Sequence, residues 1–158
     1  MDAVRTQRLR GPKKELLFHH LIVGMLSYVV YTQQAFQFYG PIFMGVSELS
    51  SLPLAFLDLF KYFPTLRASF PVANEIVRNV FAASFLVLRG FYWPFISISF
   101  WRTALDCLAA GDPTVSAGVV YIYLATNILT TSLQWYWSSI ILKAIYFKII
   151  DDPRHKEA

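Results

Sequence analysis

The sequence predicts an all-α protein, a polytopic transmembrane helical bundle of about four crossings. Three observations carry that expectation. Apolar residues make up 56% of the 158 residues and charged ones only 15%, against roughly 25% charged in soluble domains, and the mean hydropathy is +0.45. Uncharged stretches over residues 16–47 and 113–142 outlast the roughly 20 residues that a helix needs to cross a bilayer, and residues 79–101 do so with Arg89 alone inside them. These runs are too long, and too free of alternation, for a membrane β-barrel.

The elements follow in order. Residues 1–14 form a basic tail with Arg5, Arg8, Arg10, Lys13 and Lys14, suited to the cytosol and to anionic headgroups. The tail is too polar for a signal peptide, and the run behind it too long for an h-region. The membrane domain is expected over residues 15–150. Its first helix runs from about Lys14 to Tyr39, where Gly40-Pro41 breaks it. The second covers about residues 43–63 with Pro53 inside as a tolerated kink, and residues 64–71 read as a short loop holding Arg67. The third starts near Val72 and continues to about Trp101, kinked at Pro94. Residues 102–113 read as a polar connection with Gly111-Asp112-Pro113 as its turn, although residues 72–113 also admit a crossing followed by a re-entrant piece. The fourth helix starts near Thr114 or Ser116, either of which could cap it, and reaches Leu142 before Lys143 and Lys148. Residues 151–158 form a polar cytosolic tail.

Four crossings gather the two tails, Lys61, Arg67, Arg78, Lys143 and Lys148 on one side and leave only Arg102 on the other. That asymmetry predicts cytosolic termini. It also accounts for the net charge of +4 without nucleic acid, which is not an expected partner. Cys107 is the single cysteine and forms no internal disulfide.

Several residues could carry chemistry. His20, Gly24, Ser27, Tyr31 and Gln34 fall at steps of four and three, on one face of the first helix, and such a stripe points away from lipid. His19 and His20 head it as the candidate catalytic pair, since neutral imidazole takes up a proton near physiological pH. Adjacent positions lie about 100° apart, so only one faces a cavity fully; the plain alternative is a polar pair at the membrane boundary. Glu48, in GVSELSSLP with Ser47, Ser50 and Ser51, is an acid inside the second helix, either paired and functional or held by hydroxyls near the interface. Arg89 lies mid-span and must find a carboxylate, carbonyls or water. Glu48 is the acid at comparable depth, so a Glu48–Arg89 contact is expected, as a structural bridge or as a clamp for a lipid headgroup or acyl phosphate. Asp58 with Lys61, and Glu75 with Arg78, read as local ion pairs one turn apart.

On the fourth helix Tyr123, Asn127, Thr130, Thr131, Gln134 and Ser138 share a side, as a second polar wall or as glue between helices. Trp135, Tyr136 and Trp137 fit an interfacial aromatic belt. The candidate lipid cavity is thus lined by Ser27, Tyr31, Gln34, Ser47, Glu48, Arg89, Asn127 and Gln134. His155 is the only other histidine, too few for a multi-histidine iron site; neither metal nor cofactor is expected.

Taken in order, these segments resemble one family. A His-His pair, GVSELSS followed by FLDLFKYF, then FLVLRGFYWP, then NILTTSLQWYWSSIILKAI resemble the C-terminal two-thirds of the TLC domain, over residues 16–150. The order and spacing carry the resemblance, more than any one motif. The domain is shared by ceramide synthases, translocating-chain-associating membrane proteins and several lipid-homeostasis proteins. The resemblance implies further helices ahead of the histidine pair, where this sequence starts almost at it. The sequence is therefore expected to be either truncated at that end or a reduced member, unable to close a six-helix cavity alone.

For a ceramide synthase the resemblance implies acyl transfer from acyl-CoA to a sphingoid amine, with the histidine pair and a downstream His-Asp-x-x-x-Asp segment. His19 and His20 match the pair. The downstream stretch reads FMGVSELSS, with Met44, Gly45 and Glu48 near where the histidine and acids would lie, so Glu48 stands for one carboxylate and the other is absent. The resemblance is closer to the non-synthase members. It implies a role in membrane lipid composition, with membrane lipids as partners, in a homo- or hetero-oligomer, in the endoplasmic reticulum or another internal membrane. An acyltransferase using acyl-CoA is one alternative, and a helper in membrane-protein insertion is another.

Overall fold

The computed structural model describes residues 14–33, 35–111 and 115–150; among them every regular element is a helix. Residues 1–13 of the basic tail, Gln34, the turn residues Asp112 and Pro113, Thr114, and the C-terminal tail with His155 lie outside the described residues. The chain divides into two compact units, Met1–Gln37 and Phe38–Ala158.

The first unit is built on α1, Lys14–Gln33. It stops short of the expected Tyr39. The chain turns instead at Phe36, which holds a left-handed backbone with φ 58°, a conformation that costs a bulky residue roughly 1–2 kcal/mol. Gly40-Pro41 does not break α1. It falls in the first turn of α2, where proline's missing N–H has no helical acceptor to lose.

The second unit begins with α2 (Tyr39–Met44), a 3-10 turn (Val46–Ser50) and α3 (Ser51–Tyr62). Together they make one helical run of 24 residues. Gly45 is the joint. Its N–H donates to Pro41 O at 2.7 Å, and a Cβ there would lie 2.5 Å from that same oxygen. Pro53 sits in the first turn of α3, just behind the 3-10 turn, so a change of winding accommodates it rather than a mid-helix kink. The expected loop over residues 64–71 is instead α4 (Pro64–Ser69), and α5 (Pro71–Phe85) follows at once. Both open on a proline, whose fixed φ suits the first helical position.

α5 continues through a π segment, Leu86–Tyr92, into α6, Trp93–Ala110, as one run of 40 residues. The proline effect expected at Pro94 takes this form. Trp93 N–H donates five residues back to Leu88 O, and Pro94 has no N–H to give. The wider winding absorbs the mismatch next to the proline. The helix does not end at Trp101. Residues 102–110 are helical, because Ala104 is wholly buried and keeps the apolar periodicity running beneath Arg102, Thr103 and Asp106. Gly111, at φ 63°, terminates α6 in the left-handed conformation typical of helix ends. α7, Ala117–Ile150, spans 34 residues and runs on past Lys143 and Lys148.

Contacts between the runs are antiparallel. Tyr39 meets Ser99 and Thr103 while Glu48 meets Arg89. Trp101 meets Asn127, Trp93 meets Thr131, and Phe85 meets Trp137. Residues 39–62, 71–110 and 117–150 therefore alternate in direction. Their packing departs from the soluble pattern, with polar groups buried among Phe60, Phe85, Trp93, Phe100 and Val120. Ser47, Ser50, Asn74, Arg89, Ser97, Asn127, Gln134 and Ser138 are buried, whereas Phe91 is 76% exposed and Leu129 71%. Polar groups inside and large apolar groups outside suit a lipid solvent. Among the described residues, Tyr39–Tyr62 and Pro71–Ala110 are long and apolar enough to cross a membrane.

Candidate functional site

The polar interior centres on Arg89, whose side chain is 7% exposed. Its Nε donates to Ser50 Oγ at 2.8 Å and to Ser47 O at 3.2 Å. Nη2 donates to Ser51 Oγ at 3.1 Å and to Glu48 Oε1 at 3.3 Å. Nη1 reaches Gln134 Oε1 across a long 3.5 Å. The guanidinium carbon lies 5.4 Å from the centroid of the Phe85 ring, a cation–π distance. The expected Glu48–Arg89 contact is therefore present. It is not symmetric, because the Glu48 side chain is 48% exposed.

Local winding builds this centre. In the 3-10 turn, Ser51 N–H donates to Glu48 O, three residues back. In an α-helix that N–H would have taken Ser47 O. The freed carbonyl accepts from both Ser50 Oγ, at 2.8 Å, and Arg89 Nε. Ser50 gives its own proton to Ser47 O, which leaves its lone pairs for the guanidinium. On the facing run, Arg89 lies in the middle of the π segment. An overwound turn thus faces an underwound one, and the arginine joins them.

Farther along, a ladder ties α6 to α7. Trp101 Nε1 donates to Asn127 Oδ1 at 2.9 Å, and Asn127 Nδ2 donates to Ser97 Oγ at 3.1 Å. Trp93 Nε1 donates to Thr131 Oγ1 at 2.9 Å. Gly90 brings the π segment close to α7, where an added Cβ would lie 3.3 Å from Ser138 Oγ. The polar stripe on α7 is therefore used at several levels as interhelical contact. Thr130 instead bonds its own helix, donating to Thr126 O at 2.8 Å.

The structure brings together four of the expected cavity residues, Ser47, Glu48, Arg89 and Gln134. Asn127 belongs to the separate tryptophan layer. Ser27 and Tyr31 lie on α1 in the first unit, where Ser27 Oγ donates to Val23 O at 2.8 Å and Tyr31 is 78% exposed. Gln34 and the His19 side chain lie outside the described residues. His20 is exposed and lines an open groove of α1 with Leu21, Gly24, Met25, Tyr28 and Val29.

The local ion pairs need correction. Among the described residues the ion pairs are Glu48–Arg89 and Glu75–Lys148. Asp58–Lys61 does not form, and Glu75 takes Lys148 of α7 at 2.6 Å rather than Arg78. Exposed pairs one turn apart contribute only about 0.2–0.5 kcal/mol, so a cation from another helix displaces them readily. Sequence reasoning also missed Tyr39, whose hydroxyl meets Ser99 and Thr103. The signal was there, since Ser99 and Thr103 lie one turn apart on one face.

With this geometry in place, comparison adds one result. The family model described as the TLC domain matches residues 2–143. No curated protein and no solved structure matches the chain.

Proposed function

Because the chain belongs to the TLC-domain family, we propose that it is a multi-pass protein of the endoplasmic reticulum or another internal membrane, with four crossings and cytosolic termini, that binds membrane lipid in lipid homeostasis. The observation that carries this reading is the Arg89 centre. A guanidinium is fixed on neutral oxygens from two helical runs, and its one carboxylate partner among the described residues is half exposed. That arrangement offers a polar group on a lipid a charged pair to rest on. Acyl transfer asks for more, a base and a second group to orient it. Met44 and Gly45 stand where the resemblance implies such a partner.

The experiment supplies purified protein with acyl-CoA and a sphingoid base. No ceramide forms. His20→Ala leaves folding intact and weakens lipid co-purification by roughly two- to tenfold, the loss of one hydrogen bond of about 0.5–1.5 kcal/mol. Acyl transfer that disappears on that substitution would place the chain among the acyltransferases instead, since a catalytic base contributes roughly 10²–10⁴-fold in rate.

A further inference from the structure

A second polar cluster sits at the opposite end of the Tyr39–Tyr62 run from Lys61. Tyr39 is the first residue of that run. Its ring is buried against Phe43 and Phe100, and its hydroxyl meets Ser99 Oγ at 3.1 Å and Thr103 Oγ1 at 2.9 Å. Thr103 Oγ1 also donates to Ser99 O at 3.1 Å. In the two hydroxyl pairs either oxygen can be the donor, so the Ser99 hydroxyl can turn outward at the cost of a single neutral bond. Ser99, Thr103 and Arg102 are all exposed.

Arg102 stands three residues past Ser99, on the same face of α6. Among the described residues it forms no ion pair. Asp106, one turn on, is the nearest acid along that face and is not bonded to it. Arg102 lies roughly 20 Å along the helix from Arg89, against about 15 Å for half of a hydrocarbon core. If Arg89 sits near mid-depth, Arg102 and the hydroxyls lie at headgroup level, beside Trp101.

We propose that Arg102, with Ser99, Thr103 and Tyr39, forms an interfacial site for the phosphate of a membrane phospholipid. Arg102 supplies a planar fork that matches two phosphate oxygens. Ser99 trades a neutral bond for a charge-assisted one, about twice as strong. The site is separate from the Arg89 centre and rests on the preceding reading only for its membrane placement.

The test uses the full chain in detergent micelles, titrated with dioleoyl phosphatidic acid and read by thermal melting. Phosphatidic acid stabilises the protein, whereas diacylglycerol and inorganic phosphate do not. Arg102→Ala weakens the apparent affinity about five- to tenfold, in line with an interfacial cation. Arg102→Lys keeps the charge but loses the fork, so it recovers only part of that loss, and Asp106→Asn tightens binding by removing a negative charge one turn away. If Arg102→Ala does not fold, Ser99→Ala reads the same site and loses about threefold. Unchanged affinity in these variants, or equal stabilisation by diacylglycerol, overturns the site. Equal stabilisation by inorganic phosphate overturns its assignment to a lipid. Since none of these arms measures acyl transfer, the site can fail while the lipid-homeostasis reading stands, and the reverse.

Discussion

Arg89 keeps its charge inside an apolar run because oxygens meet it from two directions, and only one of them is charged. Four of its five contacts survive loss of the carboxylate. Glu48→Gln should therefore lower stability by about 1.5–3 kcal/mol, the range for a hydrogen bond to a charged group, and not the 3–5 kcal/mol of a fully buried pair stripped of its partner. Arg89→Met should then cost less on that background than in the parent, because the contact to the carboxylate is already gone. A thermal-melt cycle on the four proteins measures the coupling, and strictly additive losses would rule out direct pairing. At this scale the sequence was half legible. Glu48 was the one acid at a depth to match Arg89, so the pairing followed. The Ser47 carbonyl could not be foreseen, because its freedom depends on winding and not on residue type. Glu75 shows the same limit, since an i, i+3 neighbour is visible in a sequence and a lysine on another helix is not.

Each irregular element has a residue that requires it. Gly45 is the joint between α2 and the 3-10 turn, and Gly45→Ala would set a methyl 2.5 Å from Pro41 O. Because that oxygen belongs to the backbone and already accepts Gly45 N–H, the helix must move. The expected cost is about 1–3 kcal/mol, as for overpacking elsewhere, seen as a lower melting temperature in detergent. Gly24→Ala is the control, since a Cβ added there meets nothing within 4 Å. Prolines marked the irregular places in the sequence but not their form. Pro94 gave a π segment where a kink was expected, and Pro41 opened a helix where it was expected to close one. Residues 102–110 were misread for a simpler reason. Three polar residues on one face of a helix look like a connection until the buried Ala104 shows the other face.

For the whole molecule, composition and the long uncharged runs carried the fold class, since 15% charged residues is well below the roughly 25% of soluble domains. The topology belongs to the distribution of basic residues and can be tested directly. Glycosylation acceptor tags at either terminus should stay unmodified, and one inserted between Gly111 and Ser116 should be modified; a glycosylated C-terminal tag would overturn four crossings. Helix lengths were less legible, because charged residues such as Lys143 and Lys148 were read as ends and are instead carried within α7. Those lengths have a consequence of their own. The 24-residue run measures about 36 Å and fits a hydrocarbon slab of about 30 Å at a tilt of roughly 34°, within the usual range. The 40-residue run and α7 measure about 60 and 51 Å, and no modest tilt fits them to the same slab. Packed side by side, the short and long helices give this unit flanks of unequal height, and the long ones carry charged residues, Glu75, Arg78, Arg102, Asp106, Lys143 and Lys148, toward their ends, where headgroups and water can receive them without deforming the bilayer.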